Sequence, residues 1–171
     1  GEIAVLTADS IDVFDDELVP VEKHRSTVDW DVSAAEKGGY PHFMLKEINE
    51  QPAAIMATVS PRVEDGLPVL RIPELTDEVL RGIGRVHLVG CGTAMHAGMV
   101  GKSAIETLAR VPAEVDIASE FRYRDPILEK NDLVIIISQS GETSDTLAAL
   151  KLAKSRGVPV LAIVNVVGSS I

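Results

Sequence analysis

The sequence of 171 residues contains a single cysteine, Cys91, and only 4% of its residues are aromatic. One cysteine excludes an internal disulfide framework and favours a reducing compartment, so we expect a cytoplasmic protein. Because aromatic side chains are scarce, Val, Ile, Leu and Ala must fill the core, as is typical of parallel sheets. Hydrophobic residues still make up 46% of the chain and charged residues 25%, a composition typical of globular domains.

The sequence also lacks a long hydrophobic run and an excess of positive charge. No apolar stretch approaches the roughly 20 residues needed to cross a bilayer. The acidic, alternating start does not resemble a signal peptide. The formal net charge is −10, which excludes the general cationic surface that nucleic acids and other polyanions need. We therefore expect no membrane and no nucleic acid as partner, and a small anion would have to be bound by local geometry.

The first 75 residues predict a β-rich segment followed by a connector. Residues 1–30 contain short strand patterns with too little apolar mass to fold alone, so we expect a missing upstream part. Residues 31–75 predict a linker whose helix begins near His42 and is closed by Pro52. Trp30, at the junction, is expected to anchor the connector to a domain surface.

From residue 76 to residue 171, strand and helix patterns alternate. A helix over residues 74–84 has Thr76 as its N-cap and ends at Gly82 or Gly84. The segments that follow are "VHLVG" (strand), "TAMHAGMVGKSAIETLAR" (helix), "VDIA" (strand), "PILEK" (short helix), "LVIIIS" (strand), "TSDTLAALKLAKSRG" (helix) and "PVLAIVNV" (strand). This alternation predicts an α/β fold with a flavodoxin-like, doubly wound parallel sheet. The chain stops just after a strand, so we expect this domain to be truncated at its C-terminus.

Two polar loops are predicted to meet at one edge of this sheet. In the common strand order 2-1-3-4-5 the first and third strands are neighbours, and ligands bind at their carboxyl ends. The loops at those ends are "GCGTA" (90–94) and "SQSGET" (138–143). Each follows a strand and opens a helix, so each presents free backbone N–H groups and a positive dipole end. Four hydroxyl groups add to these donors: Thr93, Ser138, Ser140 and Thr143. The sequence thus predicts a neutral, donor-rich pocket for a phosphate group.

Each of these hydroxyls has a second interpretation. Ser, Thr and Gly are favoured at helix N-caps whether or not a ligand binds. Glu142 and Asp145, in the first turn of the following helix, are also good partners for its dipole. Capping and ligand contact therefore both remain open for any single hydroxyl, and the meeting of two such loops favours a site.

Other sites are less well supported by the sequence. Met95 stands where the third glycine of a dinucleotide fingerprint would be, and no histidine follows His96 to complete a hydrolase triad in its usual order. Cys91 has no activating base beyond His87 or His96, so we interpret it as a small buried thiol. No histidine shows metal-ligand spacing with cysteine or carboxylate, so we expect no metal; the histidines are His24, His42, His87 and His96.

Longer strings resemble one family. "CGTAMHAG", "VDIASEFRYRDPIL", "IIISQSGETSDTLAALKLAK" and "NVVGSSI" resemble the first sugar isomerase (SIS) domain of the glutamine–fructose-6-phosphate amidotransferases, also called glucosamine-6-phosphate synthases. "GEIAVLT" and "DWDVSAAEKGGYPHFMLKEINEQP" resemble the end of the family's glutaminase domain and the linker after it. The resemblance covers essentially the whole chain. It implies a glutaminase remnant over residues 1–30, a linker over 31–75 and a truncated first SIS domain over 76–171.

The resemblance implies an activity for the full-length enzyme. An N-terminal domain would hydrolyse glutamine and pass ammonia to the isomerase half, which would convert fructose 6-phosphate to glucosamine 6-phosphate. No metal or organic cofactor is implied, and the full-length protein would be a homodimer. The family's nucleophilic cysteine would lie before Gly1. Its imine-forming lysine and its proton-transferring glutamate and histidine would lie after Ile171. We therefore expect no catalytic residue in this chain, and no activity from it alone.

The resemblance also implies which residues bind the sugar phosphate. The family's two phosphate-binding strings map onto residues 91–94 and 138–143. The implied substrate-binding residues are Cys91, Gly92, Thr93, Ser138, Gln139, Ser140 and Thr143. Ala94 stands where the family commonly has serine, which removes a donor worth about 1 kcal/mol if it contacts the ligand.

Two other functions are compatible with the same fold. A non-catalytic regulator that binds sugar phosphates would bind the ligand without turnover. A flavodoxin-like nucleotide-binding protein would bind FMN or NAD.

Overall fold

The computed structural model describes residues 1–24 and 36–171. They divide into two compact units, residues 1–70 and residues 71–171. Trp30, which the sequence predicts as an anchor of the connector, lies outside the described residues. Within the described part, no helix is both long enough and apolar enough to cross a bilayer.

The first unit begins with an antiparallel β-hairpin. Strand β1 (Glu2–Leu6) pairs with β2 (Ile11–Asp15). The turn between them is held by Thr7, whose Oγ1 accepts a hydrogen bond from the Ser10 N–H at 2.9 Å. This confirms the β-rich start that the alternating pattern predicts.

A long helix follows in the predicted linker. Helix α1 (Phe43–Val59) begins after His42, as predicted. The prediction that Pro52 closes this helix is wrong, because Pro52 lies inside it. Proline removes one backbone hydrogen bond at a cost of about 3 kcal/mol. The residues after it, 53–57, are mostly alanine and methionine, which have high helix propensity and let the helix continue to Val59.

A short hairpin completes the first unit. A 3₁₀ turn (Ser60–Arg62) leads into β3 (Val63–Glu64), which pairs with β4 (Leu67–Pro68). Asp65 and Gly66 between them both have positive φ, at 51° and 78°, which is the backbone that a two-residue hairpin turn requires.

The second unit contains the predicted α/β domain. Helix α2 (Asp77–Gly82) ends at the predicted glycine, and its N-cap is Thr76, whose side chain accepts a hydrogen bond from the Val79 N–H at 3.3 Å. The remaining elements follow in order: β5 (Arg85–Gly90), α3 (Thr93–Ala104), a π-helical turn (Ile105–Ala109), β6 (Ala113–Ile117), α4 (Ala118–Tyr123), β7 (Asp132–Ser138), α5 (Ser144–Ser155) and β8 (Val160–Val164).

The four strands β5 to β8 form one parallel sheet in the order β6-β5-β7-β8. Numbered from β5, this order is 2-1-3-4, which confirms the predicted topology. Gly90, the last residue of β5, pairs with Ile137 near the end of β7. The polar loops after these two strands therefore start side by side.

The sheet is covered on both faces by apolar residues. One face packs with helices α4 and α5, and its buried cluster includes Val89, Val134 and Ile136 on the strands. The other face buries Val86, Leu88, Ala113, Leu133 and Ile135. Such strands, apolar on both faces, explain the continuous branched runs in the sequence.

Helix α4 is not where the sequence predicts it. "PILEK", residues 126–130, contains no helix, and the prediction is wrong. The helix lies earlier, at Ala118–Tyr123, where Ala118 and Phe121 are fully buried. Proline at the start of a segment is a helix signal, but burial of these two side chains decides which segment packs on the sheet.

Candidate functional site

A cleft of about 220 Å³ lies at the carboxyl ends of β5 and β7. It is the point at which the chain turns from the central strands into helices α3 and α5, where open α/β sheets bind ligands. Its lining residues are Cys91, Thr93, Ala94, Ile137, Ser138, Gln139, Ser140, Thr143 and Thr146.

The cleft brings together all but one of the site residues predicted from the sequence. Gly92 does not line it; instead it forms the turn before α3, with a φ of 56° that favours glycine. Thr93 and Ser140, from the two different loops, face the same cleft. Ala94 also lines it, so the departure from the family's serine lies within the site.

Sequence reasoning missed two lining residues, Ile137 and Thr146. Ile137 belongs to the apolar run of β7 and carries no polar signal. Thr146 follows Thr143 by three residues at the start of α5, and residues three apart share a helix face. That spacing could have identified Thr146.

Two helix N-termini open onto the cleft. Helix α3 starts at Thr93 and α5 at Ser144, and neither N-cap residue makes a side-chain capping bond in the described structure. In α3 the amides of Ala94 and Met95 already donate to the carbonyls of Cys91 and Gly92 at 3.2 and 3.1 Å. Among the described residues, the donors left at the cleft are therefore the Thr93 amide and the first-turn amides of α5, and both helix dipoles direct positive potential to this place. Gly90 allows the close approach of α3, because a Cβ there would lie 3.2 Å from the Met95 amide nitrogen.

The serines of the second loop bond to the loop backbone. Ser138 Oγ accepts a hydrogen bond from the Gly141 N–H at 3.0 Å, and Ser140 Oγ accepts one from the Glu142 N–H at 3.2 Å. A hydroxyl that accepts an amide proton keeps its own O–H for donation. Ser138 and Ser140 can therefore shape the loop and donate to an anion at the same time.

Cys91 connects the first loop to helix α5. Thr146 Oγ1 lies 3.8 Å from Cys91 Sγ in a weak O–H···S contact, and both residues line the cleft. Thr146 is buried, and Cys91 is a half-buried free thiol. Since this hydroxyl is no base, the contact gives the thiol no activation as a nucleophile.

The electrostatics of the cleft rest on neutral donors. Within residues 1–24 and 36–171, no lysine, arginine, histidine, aspartate or glutamate lines it. The two nearby carboxylates are engaged elsewhere: Asp145 forms an ion pair with Arg122 at 3.0 Å, and Glu142 Oε1 accepts a hydrogen bond from the Ser170 N–H at 2.7 Å. An anion in the cleft would meet amides and hydroxyls directed towards it.

The contact between Glu142 and Ser170 docks the end of the chain onto the loop. The backbone N–H and the hydroxyl of Ser170 hold the pKa of Glu142 below its ordinary value of 4.5. A carboxyl whose pKa is lowered by folding stabilises the fold above its unfolded pKa and loses that contribution as the pH falls through its folded pKa.

Replacing Glu142 with glutamine should therefore destabilise the chain slightly at pH 7, and the effect should shrink as the pH falls towards 3. The neutral amide oxygen accepts a weaker hydrogen bond than the carboxylate does. Urea unfolding of both proteins at the two pH values measures the difference. A difference as large at pH 3 as at pH 7 would mean that ionisation of Glu142 does not hold residue 170 against the loop.

A larger hollow of about 1260 Å³ lies along the N-terminal hairpin, lined by residues 6–14 and 20–24. Its described walls are hairpin strands and turns, and none of the helices in the described ranges begins among these residues. Converging amide donors are found at the smaller cleft, which we take as the candidate site.

The chain is similar in sequence to known proteins over nearly its whole length. An alignment of 171 positions covers 99% of the chain and gives 55% identity to two relatives. They are the isomerizing glutamine–fructose-6-phosphate aminotransferases of Clostridium acetobutylicum and Caldanaerobacter subterraneus. It spans 28% of the length of each of these relatives.

A solved structure shares the fold. The chain matches the C-terminal domain of glucosamine-fructose-6-phosphate aminotransferase from Francisella tularensis with a TM-score of 0.72 and 43% identity. The match covers 79% of this chain and 38% of the other. The family model described as the SIS domain matches residues 79–171, more than half of the chain and the whole of the parallel sheet. This match confirms the SIS-domain resemblance that the strings around the two loops indicated. The chain belongs to the SIS domain family.

Proposed function

We propose that this chain forms the sugar-phosphate-binding floor of an enzyme that converts fructose 6-phosphate and glutamine to glucosamine 6-phosphate and glutamate. The similarity to isomerizing aminotransferases over nearly the whole chain supports this reaction. The observation that carries the binding role is the cleft itself, where two helix N-termini and the hydroxyls of two loops converge without a cationic side chain.

The phosphate group would lie between the two loops. Its oxygens would accept hydrogen bonds from the Thr93 amide at the start of α3, from first-turn amides of α5 and from the hydroxyls that line the cleft. The side-chain amide of Gln139 offers both a donor and an acceptor, which suits a sugar hydroxyl. The substrate-contacting residues on this proposal are Cys91, Gly92, Thr93, Ser138, Gln139, Ser140 and Thr143, with Gly92 acting through its backbone.

The chain would bind substrate without performing the chemistry. Amination needs a nucleophile and acid–base groups within hydrogen-bonding reach of the sugar, and the cleft lining includes no lysine, histidine or carboxylate. We place the reacting groups in other parts of a longer polypeptide. Residues 1–30 would be the C-terminal end of its glutaminase domain. Residues 31–75 would join that domain to the first SIS domain, and residues 76–171 would be most of this SIS domain. The full-length protein would be a cytoplasmic homodimer.

Turnover assays test this division of labour. The full-length protein should make glucosamine 6-phosphate from fructose 6-phosphate and glutamine, whereas the 171-residue chain should bind fructose 6-phosphate with no product. A soluble, folded full-length protein that binds the sugar phosphate without turnover would instead indicate a regulator. Binding of FMN or NAD in place of the sugar phosphate would indicate a nucleotide-binding protein.

Replacing Thr143 with alanine should separate ligand contact from capping. Its side chain makes no capping bond to α5, so we expect unchanged unfolding and a loss of about 1–2 kcal/mol in binding, roughly 5- to 30-fold in Kd. Isothermal titration with fructose 6-phosphate and urea unfolding measure the two effects.

Thr76 provides the matched control for Thr143. It caps α2 through a real hydrogen bond to Val79, so Thr76→Ala should cost about 1 kcal/mol in unfolding and leave binding unchanged. If Thr143→Ala behaves like Thr76→Ala, the hydroxyl of Thr143 is only a cap.

A further inference from the structure

A buried histidine on the central strand has one ring nitrogen without a partner. His87 of β5 is 1% exposed. Its Nε2 lies 3.2 Å from Asp132 Oδ2, and its ring packs edge-on against Phe121. Its Nδ1 is buried and has no hydrogen-bond partner among the described residues. Buried polar atoms without partners are rare, because a buried polar group that makes no hydrogen bond costs about 1–3 kcal/mol of stability.

The neighbouring strand directs two carboxylates to this nitrogen. In the parallel register Glu114 of β6 pairs with His87, and Asp116 pairs with Val89. Residues two apart on a strand share one face of the sheet, so both acidic side chains lie on the side of His87. Glu114 Oε2 is 3.8 Å from His87 Nδ1, and ligand atoms of His87, Glu114 and Asp116 all lie within 4.8 Å of one another.

The hydrogen bonds around His87 leave its second ring nitrogen for a partner on the side of Glu114. Asp132 is also buried, and its Oδ2 accepts a second hydrogen bond from the Glu129 N–H at 2.9 Å, which fixes the carboxylate. With Nε2–H donated to Asp132, a neutral ring has its lone pair on Nδ1. His87 Nδ1 then faces the carboxylate of Glu114, whose side chain is 46% exposed, so an ion can reach the space between them from solvent.

We propose that His87, Glu114 and Asp116 form a binding site for a divalent first-row transition metal, with zinc as the reference ion. One imidazole nitrogen and two carboxylates are a suitable donor set for such ions. Asp132 would be the carboxylate that orients the metal-bound imidazole through its other nitrogen, an arrangement common in zinc proteins. Metal–ligand bonds of about 2.1 Å place two ligand atoms roughly 3.4 Å apart in a tetrahedral site. The 3.8 Å separation between His87 Nδ1 and Glu114 Oε2 needs to close by only a few tenths of an ångström, whereas a pair at the 4.8 Å limit of the cluster would have to close by about 1.4 Å.

Two arginines compete with a metal for the same carboxylates. Arg124 Nη2 lies 2.7 Å from Asp116 and 3.8 Å from Glu114, and Arg85 Nη1 lies 3.6 Å from Glu114. Their side chains are 45% and 37% exposed, so both can turn into solvent when a divalent ion binds. Removing Arg124 should therefore strengthen metal binding.

The site is separate from the proposed sugar-phosphate cleft. His87 lies in the first half of β5, whereas the cleft lies beyond the carboxyl end of that strand. Strand β6 is the edge of the sheet, so a metal would fasten an edge strand to the centre. Loss of metal binding would leave the proposed function intact, and failure of the proposed function would leave the metal site intact.

Zinc titration of the metal-free 171-residue chain tests the proposal. We expect one saturable site by calorimetry, a higher thermal unfolding midpoint with zinc because the ion binds the folded state, and a cobalt absorption band that zinc abolishes. Asp116→Asn should weaken zinc binding at least tenfold, and Arg124→Gln should strengthen it. His96→Gln, a histidine outside the cluster, should change nothing.

Three results would overturn the proposal. One is the absence of saturable zinc binding to the folded chain. Another is equal affinity of the wild type and Asp116→Asn, with both proteins folded by circular dichroism. The last is an NMR spectrum in which His87 stays a doubly protonated imidazolium in excess zinc, because a proton would then occupy the place between Nδ1 and Glu114.

Discussion

Replacing Gly141 with valine will lower the free energy of unfolding by about 2–5 kcal/mol and weaken fructose 6-phosphate binding at least tenfold. Gly141 has a φ of 69°, a conformation that costs an L-residue about 1–2 kcal/mol. A Cβ there would also collide with the Ser169 side chain and would lie 2.8 Å from Val164 Cγ1. Overpacking of this kind adds about 1–3 kcal/mol. Because Gly141 lies between the hydroxyl-bearing residues of the second loop, relief of the collision must move that loop.

Gly157 offers the matched control for Gly141. It has nearly the same φ, 72°, but nothing lies within 4 Å of a Cβ built there. Gly157→Val should cost only the strain of about 1–2 kcal/mol and leave binding unchanged. Urea unfolding and calorimetric titration of both variants separate strain from collision. Equal effects of the two substitutions on binding would show that the loop does not depend on close packing at Gly141.

Truncating Phe121 to alanine will lower the free energy of unfolding by about 3–5 kcal/mol, the usual cost of removing a large buried aromatic side chain. Phe121 is fully buried in the cluster with Ala118, Val89 and Val134, and its ring contacts His87. It is the main anchor of α4 on the sheet, so its removal should also loosen this helix, as hydrogen exchange would detect.

Tyr123 lies on the same short helix and is 75% exposed. Its ring stacks with Arg122 at the surface, a contact worth about 0.5–1 kcal/mol. Tyr123→Ala should therefore cost no more than that. Urea unfolding followed by circular dichroism compares the two variants. If Phe121→Ala and Tyr123→Ala lower the free energy of unfolding by similar amounts, burial of Phe121 is not what holds α4 on the sheet.

The sheet and the position of the cleft could be predicted because their signals are local. A continuous branched run such as residues 133–137 indicates a buried strand, and a glycine- or hydroxyl-rich loop marks where the strand ends. The commonest strand order for such elements then places the first and third loops together. The observed order and the shared cleft of Thr93 and Ser140 agree with this reasoning.

Features set by contacts between distant residues could not be predicted in this way. The position of α4 depends on the burial of Phe121, and the sequence signals for a helix start do not predict which side chain will be buried. Helix α1 was also mispredicted, because the helix propensity of the residues after Pro52 outweighs the free-energy cost of that one proline. His87 and Glu114 meet only because their strands pair, so ligand spacing along the chain could not reveal the cluster.

The binding of one phosphate by both loops is tested most directly by NMR titration of the ¹⁵N-labelled chain with fructose 6-phosphate. The backbone amides of Thr93, in the first loop, and of Ser144, which directly follows the second loop at the start of α5, should shift together with a single Kd. Fructose without phosphate should shift neither. Shifts confined to one loop, or two different Kd values, would contradict a shared phosphate site.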